Sequence, residues 1–122
     1  MIFLGKLLTK DDIKIFFYNS NHQLIDPFYV SYTVFDLTTG KQEIIRQTIN
    51  SKPMRFDTGS YFVPLKLHPI IFRVGRHIVK WAFKQYDDSM LMRESQEFDI
   101  TRPAEYAGEY CLSKYVKEVT IQ

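Results

Sequence analysis

A chain of 122 residues with 45% hydrophobic and 16% aromatic side chains is long enough for one domain with a substantial core and needs no covalent staples. Its 16 basic and 14 acidic residues leave a formal charge of +2, a balance that argues against a nucleic-acid footprint and for a mixed, solvated surface. The single cysteine, Cys111, makes neither an internal disulfide nor a zinc site, and no apolar run reaches the length of a membrane span.

Residues 1–12 read as an N-terminal arm. Lys6 interrupts the apolar stretch, and neither a basic leader nor a small-residue cleavage site accompanies it, so a signal peptide is not expected. Ile2, Phe3, Leu4, Leu7 and Leu8 are too apolar to be left in water. They either cover the chain's own core or dock on a neighbour.

Strand signals follow. Residues 13–18 form the first, closed by the turn cluster Asn19-Ser20-Asn21-His22. Asp26-Pro27 opens a second strand over 28–36, with Phe28, Val30, Tyr32 and Val34 on one face. Thr38-Thr39-Gly40-Lys41 is a hairpin turn into a third strand over 42–49, and 54–58 crosses over. After Gly59, the residues Tyr61, Val63, Leu65 and Leu67 face inward, and Pro64 on the other face argues for an edge strand. The stretch from Gly75 to Lys84 alternates most clearly. His77, Val79, Trp81 and Phe83 point one way, and the only tryptophan is the natural anchor for a second sheet. Asp87-Asp88-Ser89 is a turn, and the last strand runs over 91–101 with Phe98 and Ile100 inward.

Seven strands of this length, with a turn every 8–12 residues or so, predict an all-β fold: an immunoglobulin-like antiparallel β-sandwich over 13–101. Its expected core includes Tyr61, Val79, Trp81, Phe83 and Phe98. Residues 102–122 form a short C-terminal extension. Pro103 suits a first helical position, and Ala104, Ala107, Cys111 and Tyr115 fall at helical spacing, so 103–118 is read as helical or partly helical despite Gly108. Residues 119–121 are a terminal β stub.

No constellation of catalytic type emerges. His22, His68 and His77 lie in a turn, a turn and a strand, with no spacing that brings them onto a metal. Asp87-Asp88 is a solvated turn before it is a calcium loop. Asp26, Asp36 and Glu97 sit near strand ends, and a small sandwich without long loops gives a carboxylate pair no cleft. Arg73, Arg76, Lys80 and Lys84 are better read as a solvated sheet face than as a nucleic-acid platform. The reading is of a non-enzyme with no cofactor and no metal.

Two stretches carry a family resemblance. Gly59-Ser60-Tyr61-Phe62-Val63, then Gly75 to Lys84 with Trp81, then Gln96-Glu97-Phe98-Asp99-Ile100 resemble the pattern of immunoglobulin-like domains in virion proteins of tailed bacteriophages. Asp26-Pro27-Phe28 and Val34-Phe35-Asp36 fit the same pattern, which covers about residues 13–101. Glu109 to Val116 is similar to the segment that opens the helical domain of phage head–tail connectors. Lys114 stands where an acidic residue is usual, and no helical bundle follows within these residues.

The resemblance implies a structural role in a virion made in the host cytoplasm, at the head–tail neck. It implies multiple copies around a rotational axis, in contact with each other and with other virion proteins. On that reading the termini are docking arms, and Phe3, Leu4, Leu7, Tyr106, Tyr110 and Tyr115 make contacts between copies. The alternatives are a capsid decoration protein, or a binding module for a host-surface carbohydrate or protein. A sugar-binding module would expose Tyr or Trp side chains at one loop end or on one sheet face.

Overall fold

Two four-stranded sheets lie face to face in the computed structural model, which describes residues 2–37, 43–44, 52–102 and 115–121. The strands are β1 (Ile13–Tyr18), β2 (Tyr29–Asp36), β3 (Glu43–Ile44), β4 (Met54–Asp57), β5 (Ser60–Phe62), β6 (Gly75–Lys84), β7 (Met92–Ile100) and β8 (Tyr115–Thr120). One sheet has the order β4-β5-β1-β8 and the other β3-β2-β6-β7. Among the described residues there is no helix. The protein is an all-β sandwich.

The period of two decides what is inside. In β1, Ile13, Ile15 and Phe17 are fully buried, and the residues between them are half-exposed. In β6, His77, Val79, Trp81 and Phe83 are fully buried. β2 and β7 flank β6 in antiparallel register, with Tyr32 opposite Trp81 and His77 opposite Phe98. The sheets meet through an aromatic contact: Phe17 packs edge-on against Phe83 at 5.0 Å between ring centroids, while within its own sheet Phe17 packs edge-on against Tyr61 at 5.8 Å. Trp81 packs beside Tyr32, and its indole N–H donates to Gln96 Oε1 at 2.9 Å, so its one polar atom is satisfied.

Several expectations are corrected. Pro64 does not mark an edge. β5 lies between β4 and β1, and Pro64 falls beyond the end of that short strand, where its missing N–H costs no ladder bond. The expected crossover at 54–58 contains β4, an edge strand with an irregularity between Arg55 and Asp57. Of the expected third strand, Glu43–Ile44 pairs with β2, and its remainder lies outside the described residues.

The C-terminal segment differs most. Residues 115–118 belong to a strand, not a helix, and β8 runs parallel to β1 from Ile13↔Tyr115 to Tyr18↔Thr120. The sandwich is therefore not wholly antiparallel. The reason lies in the side chains: Val116, Val119, Thr120 and Ile121 are β-branched, and Val119 and Ile121 reach the core. The rest of the expected helix, 103–114, lies outside the described residues.

The N-terminal arm lies on its own domain. Ile2 and Leu8 are buried. Leu8 N–H donates to Leu65 O, Leu67 N–H to Lys6 O, and Leu4 N–H to Thr101 O, all at 2.8–2.9 Å. Asp12 ends the arm with a buried carboxylate that accepts from Lys6 Nζ and Thr9 N–H.

Trp81 fills the centre of this core. Trp81→Ala is expected to destabilise the fold by about 3–5 kcal/mol, the usual cost of removing a large buried aromatic side chain. Urea unfolding of the two proteins side by side measures the difference; equal midpoints would contradict the packing described.

Candidate docking surface

Three connections meet at one end of the sandwich: the β1–β2 loop, the β4–β5 turn and the β6–β7 hairpin loop. Their local structure follows from a few polar residues. Asn19 accepts from the backbone N–H of Asn21 and Gln23 through Oδ1, both at 2.9 Å, which folds the start of the β1–β2 loop into an Asx turn. His22 takes a left-handed backbone and stacks its ring on Tyr18 at 4.5 Å. Farther on, the Asp26 carboxylate gathers the corner. It accepts from Arg55 Nε and Nη2 at 3.1 Å, from Gly59 N–H at 2.8 Å and from Tyr61 Oη–H at 2.9 Å.

These donors favour the charged carboxylate. Led by Arg55, they hold the Asp26 acid below its ordinary value despite some burial. The Tyr61 phenol is pushed up to about 12, first by burial and then by its bond to Asp26. Gly59 is required at this corner. Its φ is +65°, and a Cβ there would lie 2.7 Å from Ile25 O and 2.8 Å from Phe17 O, both rigid backbone atoms. The Asp26-Pro27 and Gly59-x-Tyr61 signatures are thus parts of one hydrogen-bonded corner.

The hairpin loop is braced in turn. Tyr86 N–H donates to Ser89 Oγ, Ser89 N–H donates to Tyr86 O, and Phe28 N–H donates to Lys84 O. On this framework large apolar side chains stand in solvent. Phe28 is 61% exposed, Tyr86 57% and Met90 85%, with Tyr29, Leu91 and Leu24 at the same end. A rigid scaffold that presents apolar side chains at one end has the character of a contact surface, because little loop ordering remains to oppose binding.

Tyr86 and Met90 lie in a turn, where alternation has no sheet face to judge, and Phe28, expected to share a strand face with Val30, Tyr32 and Val34, instead precedes β2 and stands exposed. The readable signal was Met90-Leu91, an apolar pair directly after a polar turn.

The positions put forward as interface residues are distributed differently. Leu7 is exposed, Phe3 and Leu4 are half-buried on the domain, and Tyr115 packs edge-on against Phe98 in the sandwich at 6.2 Å. Tyr106 and Tyr110 lie outside the described residues. The five core positions, Tyr61, Val79, Trp81, Phe83 and Phe98, are all buried. At the opposite end Ile70 and Ile71 stand exposed in the β5–β6 connection, a smaller apolar feature than the loop end.

Elsewhere among the described residues the buried polar side-chain atoms have hydrogen-bond partners, with one exception. His77 is fully buried between Phe72 and Phe98; its Nδ1 donates to Gly75 O at 3.0 Å, and its Nε2 has no hydrogen-bond partner. Asp36 lies 3.9 Å from that nitrogen and is paired with Arg73. His77 itself is fully buried, and Asp36 beside it is buried with its charge partner Arg73 half-exposed. Among the described residues no three His, Cys, Asp or Glu side chains converge as metal ligands. Among the described residues, a hollow of about 260 Å³ beside β6 and β7 is lined by Lys80, Arg93, Glu94 and Ser95.

Compared with protein-family models, with curated proteins and with solved structures, the chain matches none.

Two outcomes follow from this geometry. Gly59→Ala is expected to cost about 1–3 kcal/mol in urea unfolding, from the strained backbone and the blocked approach to Ile25 and Phe17. The second concerns pH. Burial holds the His77 imidazole below its ordinary value, against the pull of the Gly75 carbonyl and Asp36. Above about pH 6.5 the ring is neutral both folded and unfolded, and its contribution is fully present. Below that, the unfolded chain takes up the proton first, so stability falls with pH until the folded value is reached. Unfolding midpoints measured from pH 7.5 to 5 should therefore decline, with a shallower decline in His77→Phe. Parallel pH profiles for the two proteins would contradict this assignment.

Proposed function

We propose that the chain is a structural assembly protein: an immunoglobulin-like subunit of a tailed-phage virion, at the head–tail neck, that docks on another protein through its loop end. The observation that carries this reading is the set of exposed apolar side chains, Phe28, Tyr29, Tyr86, Met90 and Leu91, held on braced loops. Large aromatic and methionine side chains are what protein contact surfaces are enriched in.

The strand order supports the immunoglobulin-like reading. The chain passes from β1 in one sheet to β2 and β3 in the other, returns for β4 and β5, and crosses again for β6 and β7, which is a Greek-key path. The residues that carry the phage resemblance support it too, since Asp26, Gly59 and Tyr61 form one corner and Trp81 the core. In this reading the contact surface shifts away from the arm, because Ile2 and Leu8 are already used inside the domain.

Exposed Tyr29 and Tyr86 at a loop end also favour a carbohydrate-binding module. Met90, Leu91 and Leu24 tip the balance toward a protein. A sugar face needs polar groups around the stacking ring, whereas aliphatic neighbours match an apolar partner surface.

The test is replacement of Tyr86→Ser together with Met90→Ser. Both side chains are exposed, so the melting temperature should stay within a few degrees of the parent. Copies of the chain per purified particle, counted by quantitative mass spectrometry, should fall at least about tenfold, the loss of roughly 1.4 kcal/mol of docking energy. Parental incorporation by the folded variant overturns the docking reading. Loss of binding to glycan-coated surfaces with normal incorporation replaces it with the carbohydrate reading.

A further inference from the structure

Taking the loop end as a docking surface, we propose that its partner is a second copy of this chain, presenting the opposite end of its sandwich, so that copies associate head to tail. β1 and β6 run toward the loop end and β2 and β7 away from it, so the segments before β1 and β6 and after β7 all lie at the other end. That end carries an apolar projection. The β5–β6 connection builds it: Ile71 N–H and Phe72 N–H both donate to His68 O, at 3.0 and 2.8 Å, which closes residues 68–72 into a tight turn. Phe72 is buried beside His77 and anchors the turn in the core. Ile70 and Ile71 at its tip are 98% and 52% exposed, and Leu7, bridged to Lys66 on the neighbouring segment, is exposed as well. Isoleucine is stiff at χ1, so covering this pair costs little side-chain freedom.

Charge divides between the two ends. At the loop end Asp57, Asp87 and Asp88 are exposed and have no ion pair among the described residues, and Asp26 is already matched by Arg55. The nearest unpaired cations, Lys84 and Arg93, belong to the outer face of the β6–β7 sheet rather than to the loops. At the opposite end the described residues reverse this. Lys10, Lys66 and Arg102 are exposed without an ion pair, and Asp11 is the one unpaired acid beside them. The other cations there are matched by Asp12, Asp36 and Asp99.

A partner that covers Tyr86 and Met90 also closes on Asp87 and Asp88, which lie between them in sequence. A carboxylate taken out of water without a counter-charge is costly, so the partner has to bring cations as well as apolar area. The opposite end of the same chain brings both, with Lys66 next to Leu7 and to the turn that carries Ile70 and Ile71. Like ends do not suit each other: two loop ends would face carboxylate against carboxylate. A contact between unlike ends leaves each copy with one end still free, so the series closes into a ring or runs on as a fibre, according to the rotation between neighbours.

The test compares the full chain with two variants, Tyr86→Ser/Met90→Ser at the loop end and Ile70→Ser/Ile71→Ser at the other. All the replaced side chains are exposed, so the three proteins should melt within a few degrees of one another. In sedimentation velocity at up to about 1 mM, the parent should form oligomers that dissociate on dilution, and each variant alone should show an apparent Kd raised at least about tenfold. Mixed in equal amounts, the two variants should pair as a heterodimer that grows no further, because each supplies the end the other lacks. Raising the salt from about 0.1 M to about 1 M shortens the screening length from about 10 Å to about 3 Å and should raise the parent's Kd at least about threefold. A monomeric parent, oligomers that persist in Ile70→Ser/Ile71→Ser, a mixture without heterodimer, or a Kd indifferent to salt each overturns the proposal. Where the parent is monomeric and Tyr86→Ser/Met90→Ser still fails to enter particles, the loop end docks on a different protein, and only the choice of partner falls.

Discussion

The contact between Phe17 and Phe83 is the point through which the two sheets and the loop end are fixed together. The rings meet edge-on across the sandwich at 5.0 Å. At the same residue the β1 backbone donates from Phe17 N to Gly59 O at 2.8 Å and accepts from Ile25 N–H at 3.0 Å. Sheet alignment, the β4–β5 turn and the β1–β2 loop therefore share one residue. The absent side chain at Gly59 allows the turn to close on Ile25 and Phe17, and Asp26 then draws Arg55 and Tyr61 onto the same corner. The hydrogen bonds that shape the β1–β2 loop ahead of Phe28 therefore start from a core residue, whereas the turn that carries Tyr86 is closed by its own bonds to Ser89.

A second polar cluster lies at the other end and works differently. Asp36, Arg73 and His77 close the mouth of the core beneath Phe72. Arg73 is half-exposed and keeps contact with water, whereas His77 is sealed and neutral. A polar group buried with one nitrogen unsatisfied lowers stability relative to an apolar residue of the same shape. It also disfavours any register of β6 that would place His77 among purely apolar neighbours, because Gly75 O and the Asp36–Arg73 pair meet it only in this one.

How far the fold was legible depends on whether the information was local. β1 and β6 were readable because each alternates within its own sequence, and Trp81 marked the buried face. The parity that put His77 beside Val79 and Trp81 also placed it inside, although nothing local named Asp36 and Arg73 as its neighbours. β8 was not legible. Tyr115 and Val116 fit a helical spacing as well as an alternating one, and the strand they pair with lies near the other end of the chain. The arm's apolar density was plain, but its destination on Leu65, Leu67 and Thr101 depends on tertiary contacts that no local pattern encodes. The apolar loop end escaped for a third reason: residues such as Met90 have no strand face against which to be judged.

The parallel partnership of β1 and β8 has a consequence for biosynthesis. β1 emerges from the ribosome early, whereas the strand beside it is translated after nearly all the rest of the sandwich. Until then one flank of Ile13, Ile15 and Phe17 has no permanent cover. Pairing across so much chain is slow in any case, because the entropy of closing the loop is lost before the contact forms. A nascent chain therefore holds this edge of the sheet open until β8 emerges, and cover for the core at that flank arrives last among the strands of the sandwich.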